Sequence, residues 1–177
     1  LPLYSDLGTT GTYIYATDFD IRRRSAKVHA ESEVKNESGA DRILSLVAEV
    51  TDANGKLIAT LKGDKVNVKA QETATLSAEG NIAGLHFWSW GYGYLYKVKT
   101  MLCDNKGNLT DAVVTRTGFR KTRFAEGKIW LNDRVIMMHG YAQRTSNEWP
   151  GVGLSVPAWL SDYSNALMVE SGANLVR

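Results

Sequence analysis

The sequence predicts a mainly β protein, an antiparallel sandwich over residues 13–120 followed by a strand–helix–strand unit over residues 121–177. Three observations carry this. Apolar and polar residues alternate at period two through most of the chain before Arg120. Turn signals break that alternation at intervals of roughly 8–12 residues, the spacing of short sandwich strands. After Arg120 the composition shifts, and a helical period occurs between short apolar runs.

The strands follow in order. Thr12-Tyr13-Ile14-Tyr15 is β-branched and aromatic. Val28, Ala30, Ser32 and Val34 alternate with Lys27, His29, Glu31 and Glu33, so one face is apolar and the other polar. Leu44, Leu46, Ala48 and Val50 repeat the pattern. Asp52-Ala53-Asn54-Gly55 supplies a hairpin turn, because Asn-Gly accepts positive φ. Lys56 to Leu61 returns, Val66 and Val68 alternate with lysines and Asn67, and Thr73 to Ser77 follows. Tyr94 to Lys99 opens another strand, closed near Asp104-Asn105-Lys106-Gly107, and Ala112 to Thr117 gives the last.

Beyond Arg120, Lys128 to Leu131 and Arg134 to Met137 read as strands joined by a two-residue turn, Asn132-Asp133. A loop is expected from Gly140 to Pro157. Trp159, Leu160, Tyr163, Leu167 and Met168 then approach helical spacing, with Pro157 suited to the start and Gly172 to the end. Ala173 to Val176 is a short apolar run after the helix, and strand, helix, strand is the order of a parallel α/β unit.

Composition narrows the function classes. A net charge of +2 argues against a nucleic-acid partner, and the run Arg22-Arg23-Arg24 reads as a solvated connector. No apolar stretch approaches the ~20 residues of a membrane-spanning helix. Cys103 stands alone, so no intrachain disulfide forms, and its strand-like surroundings predict a buried inert thiol. His29, His86 and His139 lack metal-ligand spacing, and no metal or cofactor is expected.

Four stretches together resemble glycoside hydrolase family 2, the group of β-galactosidases, β-glucuronidases and β-mannosidases. Gly118-Phe119-Arg120 is similar to the Gly-Phe-Arg that closes the family's sandwich. Lys128 to Gly140 resembles the family's Phe-x-Leu-Asn-Gly-Lys-Pro-Val-x-Leu-Arg-Gly run leading into the barrel. Ala166 to Arg177 looks like a helix and second barrel strand ending in the family's Asn-x-x-Arg, and Trp88 with Tyr94-Leu95-Tyr96 resembles its Leu-Trp…Tyr-Leu-Tyr segment. The resemblance implies an immunoglobulin-like antiparallel β-sandwich followed by the first β-α-β part of a TIM barrel, cut short. Residues 1–12 would be a linker from a preceding domain, residues 13–120 the sandwich, and residues 121–177 the N-terminal portion of the barrel.

The resemblance also implies a retaining glycosidase acting on O-glycosyl bonds of β-linked sugars. Such enzymes need two carboxyl groups about 5–5.5 Å apart. In the family both lie on later barrel strands, so no catalytic residue is expected here and the chain alone should be inactive. Asn36-Glu37 reads as a turn, and Asn147-Glu148 as a loop carboxylate. Arg177 is implied to support the nucleophile at the carboxyl end of the second strand, a position that faces barrel active sites. Gln143, Arg144 and Trp149 are substrate-pocket candidates on the first loop; Trp159 is expected in the helix core, with stacking on a sugar face as the alternative. Arg120 and Trp88 are expected to be structural, at an interdomain seam.

Two departures bear on specificity. His139 stands where the family has Arg, and Tyr141-Ala142-Gln143-Arg144 replaces a Val-Asn-x-His that helps read the sugar. The missing His puts a standard β-galactosidase specificity in doubt. The partners implied are a carbohydrate substrate in an intact enzyme and, over the open barrel unit, the sandwich or a neighbouring copy. Location is open, with a periplasmic or secreted bacterial setting implied by the family alone. The competing reading is a non-catalytic immunoglobulin-like carbohydrate-binding or adhesion module.

Overall fold

A computed structural model describes residues 11–143 and 157–177. The expected linker 1–12 therefore falls almost wholly outside the described residues. The chain divides into two compact units between Lys121 and Thr122.

The first unit is a sandwich of two antiparallel sheets. One holds β1 (Thr12–Asp20), β2 (Ser25–Lys35) and β6 (Thr73–Ile82) in the order β1-β2-β6. The other holds β3 (Arg42–Thr51), β4 (Leu57–Lys62), β7 (Tyr96–Asp104) and β8 (Leu109–Thr117) in the order β4-β3-β7-β8. The short β5 (Val66–Val68) pairs with the first residues of β3, and β4 pairs with its second half. The chain crosses between sheets after β2, after β5 and after β6, as immunoglobulin-like sandwiches do.

Period-two patterning places the core. Val28, Ala30 and Val34 from β2 face Leu44, Leu46, Ala48 and Val50 from β3, and all are buried. Leu76, Ala78 and Ile82 extend the layer from β6, and Tyr96, Val98 and Leu102 from β7. Each buried Val, Leu or Ile side chain among them contributes about 1.5–3 kcal/mol by leaving water. Ser32 and Thr100 also point inward. The Ser32 hydroxyl shares a hydrogen bond with that of Thr12 at 2.8 Å, whereas the Thr100 hydroxyl has no partner. Cys103, expected to be buried, is only half-buried, because it falls on the outward-facing register of β7.

Two hairpins use the same turn chemistry. Asp52 Oδ1 accepts from the backbone of Asn54 and Lys56, and Gly55 carries φ +84°. Asp104 Oδ1 accepts from Lys106 and Asn108 in the same way, with Gly107 at φ +85°. Both are three-residue loops that need a left-handed residue in last place. Hydrogen bonds from Asn108 hold the Asp104 carboxyl below the ordinary aspartate range. Asn36, read as part of a simple turn, is buried and gathers three segments. Its amide nitrogen donates to the carbonyls of Ala40, Val68 and Lys69, and its Oδ1 accepts from Ser38. The Arg22–Arg24 connector is a turn as expected, but Arg24 also donates to the carbonyls of Gly84 and Leu85.

The second unit opens with a three-stranded meander: β9 (Thr122–Ala125), β10 (Lys128–Leu131) and β11 (Arg134–Ile136). The sequence reading missed β9, because Thr122-Arg123-Phe124-Ala125 has too few apolar residues to show a face. Both connecting turns have two residues at positive φ: Glu126 and Gly127, then Asn132 and Asp133. Helix α1 (Ala158–Glu170) starts after Pro157 and ends in a Schellman motif. There Gly172, at φ +88°, donates to the Val169 carbonyl and Ala173 to that of Met168. Two short strands flank the helix in sequence, β12 (Gly140–Tyr141) and β13 (Leu175–Val176), and they pair in parallel. Gly140 and Tyr141, expected to start a loop, pair with β13 instead, which corrects that boundary. The helix core expected for Trp159 is also corrected: Leu160 is buried, but Trp159 is 62% exposed and Val169 68%.

Candidate functional site

Two places hold the residues singled out by sequence. The first is the carboxyl end of the parallel pair β12–β13. Arg177 donates its backbone N–H to the Tyr141 carbonyl at 2.9 Å, and Gln143 donates to the Arg177 carbonyl at 3.0 Å. The ladder thus continues past both strands and brings Gln143 and Arg177 side by side. Arg144, Trp149 and the pair Asn147-Glu148 lie outside the described residues.

The strand pair requires a glycine. A Cβ on residue 140 would stand 1.8 Å from the Leu175 carbonyl oxygen, well inside contact distance. Asn174 fixes the approach from the other side. Its Nδ2 donates to the Met137 carbonyl at 2.8 Å, and its Oδ1 accepts from the His139 backbone at 3.0 Å. Its own N–H reaches the His139 carbonyl at 2.9 Å. The His139 ring bonds the Gly172 carbonyl through Nε2. The family pattern marks His139 as a departure and leaves the side chain of Asn174 without a role. The signal was present, since Asn174 is the first residue of the Asn-x-x-Arg run. Among the described residues, this end offers the Arg177 guanidinium and the Gln143 carboxamide on a hydrogen-bonded backbone frame.

The second place is the end of the sandwich around Trp88. Gly118-Phe119-Arg120 works there as a unit. A Cβ on Gly118 would press to 2.9 Å from the Trp88 Cβ, so glycine lets the indole lie against the chain. Phe119 is buried, its ring 5.3 Å from that of Tyr96, and its carbonyl accepts from the Trp88 backbone at 2.9 Å. The Arg120 guanidinium sits over the Trp88 indole at 5.2 Å, a cation–π contact. The Tyr96 hydroxyl accepts from the His86 backbone at 2.7 Å and thereby ties the loop before β7 to the strand. Burial raises the Tyr96 pKa, so the phenol stays neutral.

No group of three or more His, Cys, Asp or Glu residues suited to a metal ion occurs among the described residues, and none of their helices is long and apolar enough to cross a membrane.

The described residues thus comprise an antiparallel β-sandwich and a second unit that contains a parallel strand–helix–strand piece. The family profile of glycosyl hydrolases family 2 matches residues 12–120, and the chain belongs to that family. A β-glucuronidase of Formosa agariphila is 32% identical over 178 residues, covering 100% of this chain and 18% of that protein. A β-galactosidase of Halalkalibacterium halodurans is 26% identical, covering 83% of this chain and 14% of its own length. Among solved structures, a β-glucuronidase from glycoside hydrolase family 2 superposes with a TM-score of 0.86 at 28% identity, over 99% of this chain and 18% of its own. The chain thus spans under a fifth of the length of each of these relatives.

Proposed function

We propose that this chain forms the sandwich (residues 13–120) and the opening strand–helix–strand of the catalytic barrel (residues 121–177) in a retaining glycosidase of β-linked sugars. The β12–α1–β13 unit carries this reading. A parallel two-stranded ladder cannot bury its faces alone, and Leu175, Val176, Leu167 and Tyr163 all stand exposed. Further β/α units closing a barrel would cover them.

In such a barrel, Arg177 and Gln143 lie at the carboxyl end of the strands, where catalytic groups gather. The Arg177 guanidinium would keep a nucleophilic carboxylate ionised and oriented, and Gln143 would hydrogen-bond a sugar hydroxyl. Arg144 and Trp149 complete the set of pocket candidates. The acid and the nucleophile are assigned outside these 177 residues, so the chain binds no transition state by itself. Tyr141-Ala142-Gln143-Arg144 argues against a standard β-galactosidase pocket, and the 32% match to a β-glucuronidase supports a uronide as substrate.

The test is kinetic. In a protein of the relatives' length containing this chain, Arg177→Ala is expected to lower kcat/KM on a nitrophenyl β-glycoside about a hundredfold, or about 2.7 kcal/mol. A variant within twofold of the parent would refute the pocket role of Arg177.

A further inference from the structure

The sandwich carries a concave feature that the glycosidase reading does not use. A cavity of about 520 Å³ opens at the end where the β3–β4 hairpin meets the loop before β7. It is lined by Asp52 and Ala53, by Gly91 to Leu95, and by Lys97 and Arg116. That volume lies in the range of small-ligand sites.

Its aromatic wall is held rigidly. Ser89 and Tyr92 exchange two backbone hydrogen bonds at 2.9 Å around a tight turn whose Gly91 has φ +73°. The Tyr92 hydroxyl bonds His86 Nδ1 at 2.8 Å, and the Tyr94 ring stacks on the His86 ring at 4.6 Å. Tyr92 is still 49% exposed. An ordered, half-exposed ring with a tethered hydroxyl offers a flat apolar face at low entropic cost.

The cavity lining is also cationic. Lys97 on β7 and Arg116 on β8 are direct cross-strand partners, and both are exposed. Like charges placed opposite one another destabilise a strand pair. None of the ion pairs among the described residues relieves either one. Asp52 forms no ion pair with either cation; its Oδ1 accepts from the Asn54 and Lys56 amides, which leaves Oδ2 to accept from a hydroxyl. Two cations without an ion-pair partner beside a fixed aromatic face suit a ligand that is anionic and carries a C–H face.

We propose that this end of the sandwich binds a saccharide bearing an anionic group. The sugar face lies on Tyr92, the carboxylate or sulfate lies between Lys97 and Arg116, and a ring hydroxyl donates to Asp52. The site stands on the sandwich alone and does not depend on the barrel assignment.

The test is an NMR titration of the 177-residue chain with three tetrasaccharides: an oligoglucuronate, a sulfated galactan and a neutral glucan. Hexaglutamate serves as a non-sugar anion. The expected result is saturable shifts at Tyr92, Tyr94, Lys97 and Arg116 with one or both acidic sugars, the stronger binder showing whether carboxylate or sulfate is preferred. Affinity should fall on raising salt, and it should fall about tenfold in Tyr92→Ala and in Arg116→Ala. Retained amide dispersion in each variant shows that folding is intact, and Arg116→Lys should restore part of the binding. Equal binding of the neutral glucan would overturn the proposal, as would equal binding of hexaglutamate or no shift with either acidic sugar.

Discussion

Gly140 and Leu175 face each other across the parallel strand pair so closely that a methyl group on residue 140 would stand 1.8 Å from the Leu175 carbonyl oxygen. That contact sets the spacing between the segment carrying Gln143 and the one carrying Arg177. The backbone oxygen cannot rotate away as a side chain could. Gly140→Ala is therefore expected to break the ladder, and hydrogen exchange is the readout. The amides of Arg177, Gln143 and Asn174 should lose protection in the variant, and unchanged protection would contradict the close approach.

Asn36 offers a second test. Replacing it with Ala removes donors to three carbonyls, two of them at the start of the segment leading into β6. Leaving the buried Val68 acceptor unpaired costs about 1–3 kcal/mol and the two part-buried acceptors less, so Asn36→Ala should destabilise the sandwich by about 2 kcal/mol. Urea denaturation measures this directly, as a lowered midpoint with an unchanged slope.

Thr100 predicts a change of opposite sign. Its side chain is fully buried in β7, and its hydroxyl makes no hydrogen bond. Valine has nearly the same shape without the polar atom. Thr100→Val should stabilise the protein by about 1 kcal/mol, seen as a higher urea midpoint.

Asp104 predicts a pH dependence. Its carboxylate is stabilised first by the Asn108 side chain and then by backbone donors, so its folded pKa lies below the unfolded value of about 3.9. Such a group adds stability that is complete above the unfolded pKa and fades as pH falls through the folded one. The stability gap between the protein and Asp104→Asn should hold steady from neutral pH to about 5 and narrow below about 4. A gap independent of pH over that range would show that the hairpin does not sense the charge.

The sandwich was legible in the sequence wherever one face of a strand is buried and the other solvated. Val28, Ala30, Ser32 and Val34 were read as inward-facing, and all four are buried. So were Leu44, Leu46, Ala48 and Val50. The turns were legible where backbone geometry selects the residue, as at Gly55, Asn132-Asp133 and Gly172. Legibility failed where strands are short or bury little. β9 has no apolar face, and β12 is two residues whose strand character lies in the pairing with β13 rather than in their own side chains. The apolar spacing of α1 was read as a core face, yet Leu160 is its buried residue and Trp159 is exposed. Amphipathic spacing says which face seeks cover and leaves open what covers it. The candidate site was half legible. Arg177 and Gln143 come together, but through backbone bonds that no spacing rule contains, and the clamp by Asn174 went unread.

The division of labour proposed for this chain is tested most directly by turnover. The 177-residue chain and a protein of the relatives' length containing it should be assayed on nitrophenyl β-glucuronide and β-galactoside at equal molar concentration. The longer protein is expected to hydrolyse at least one of them while the 177-residue chain stays at background. Dose-dependent release by the 177-residue chain, abolished by Glu148→Gln, would contradict the assignment of both catalytic carboxyl groups to the rest of the barrel.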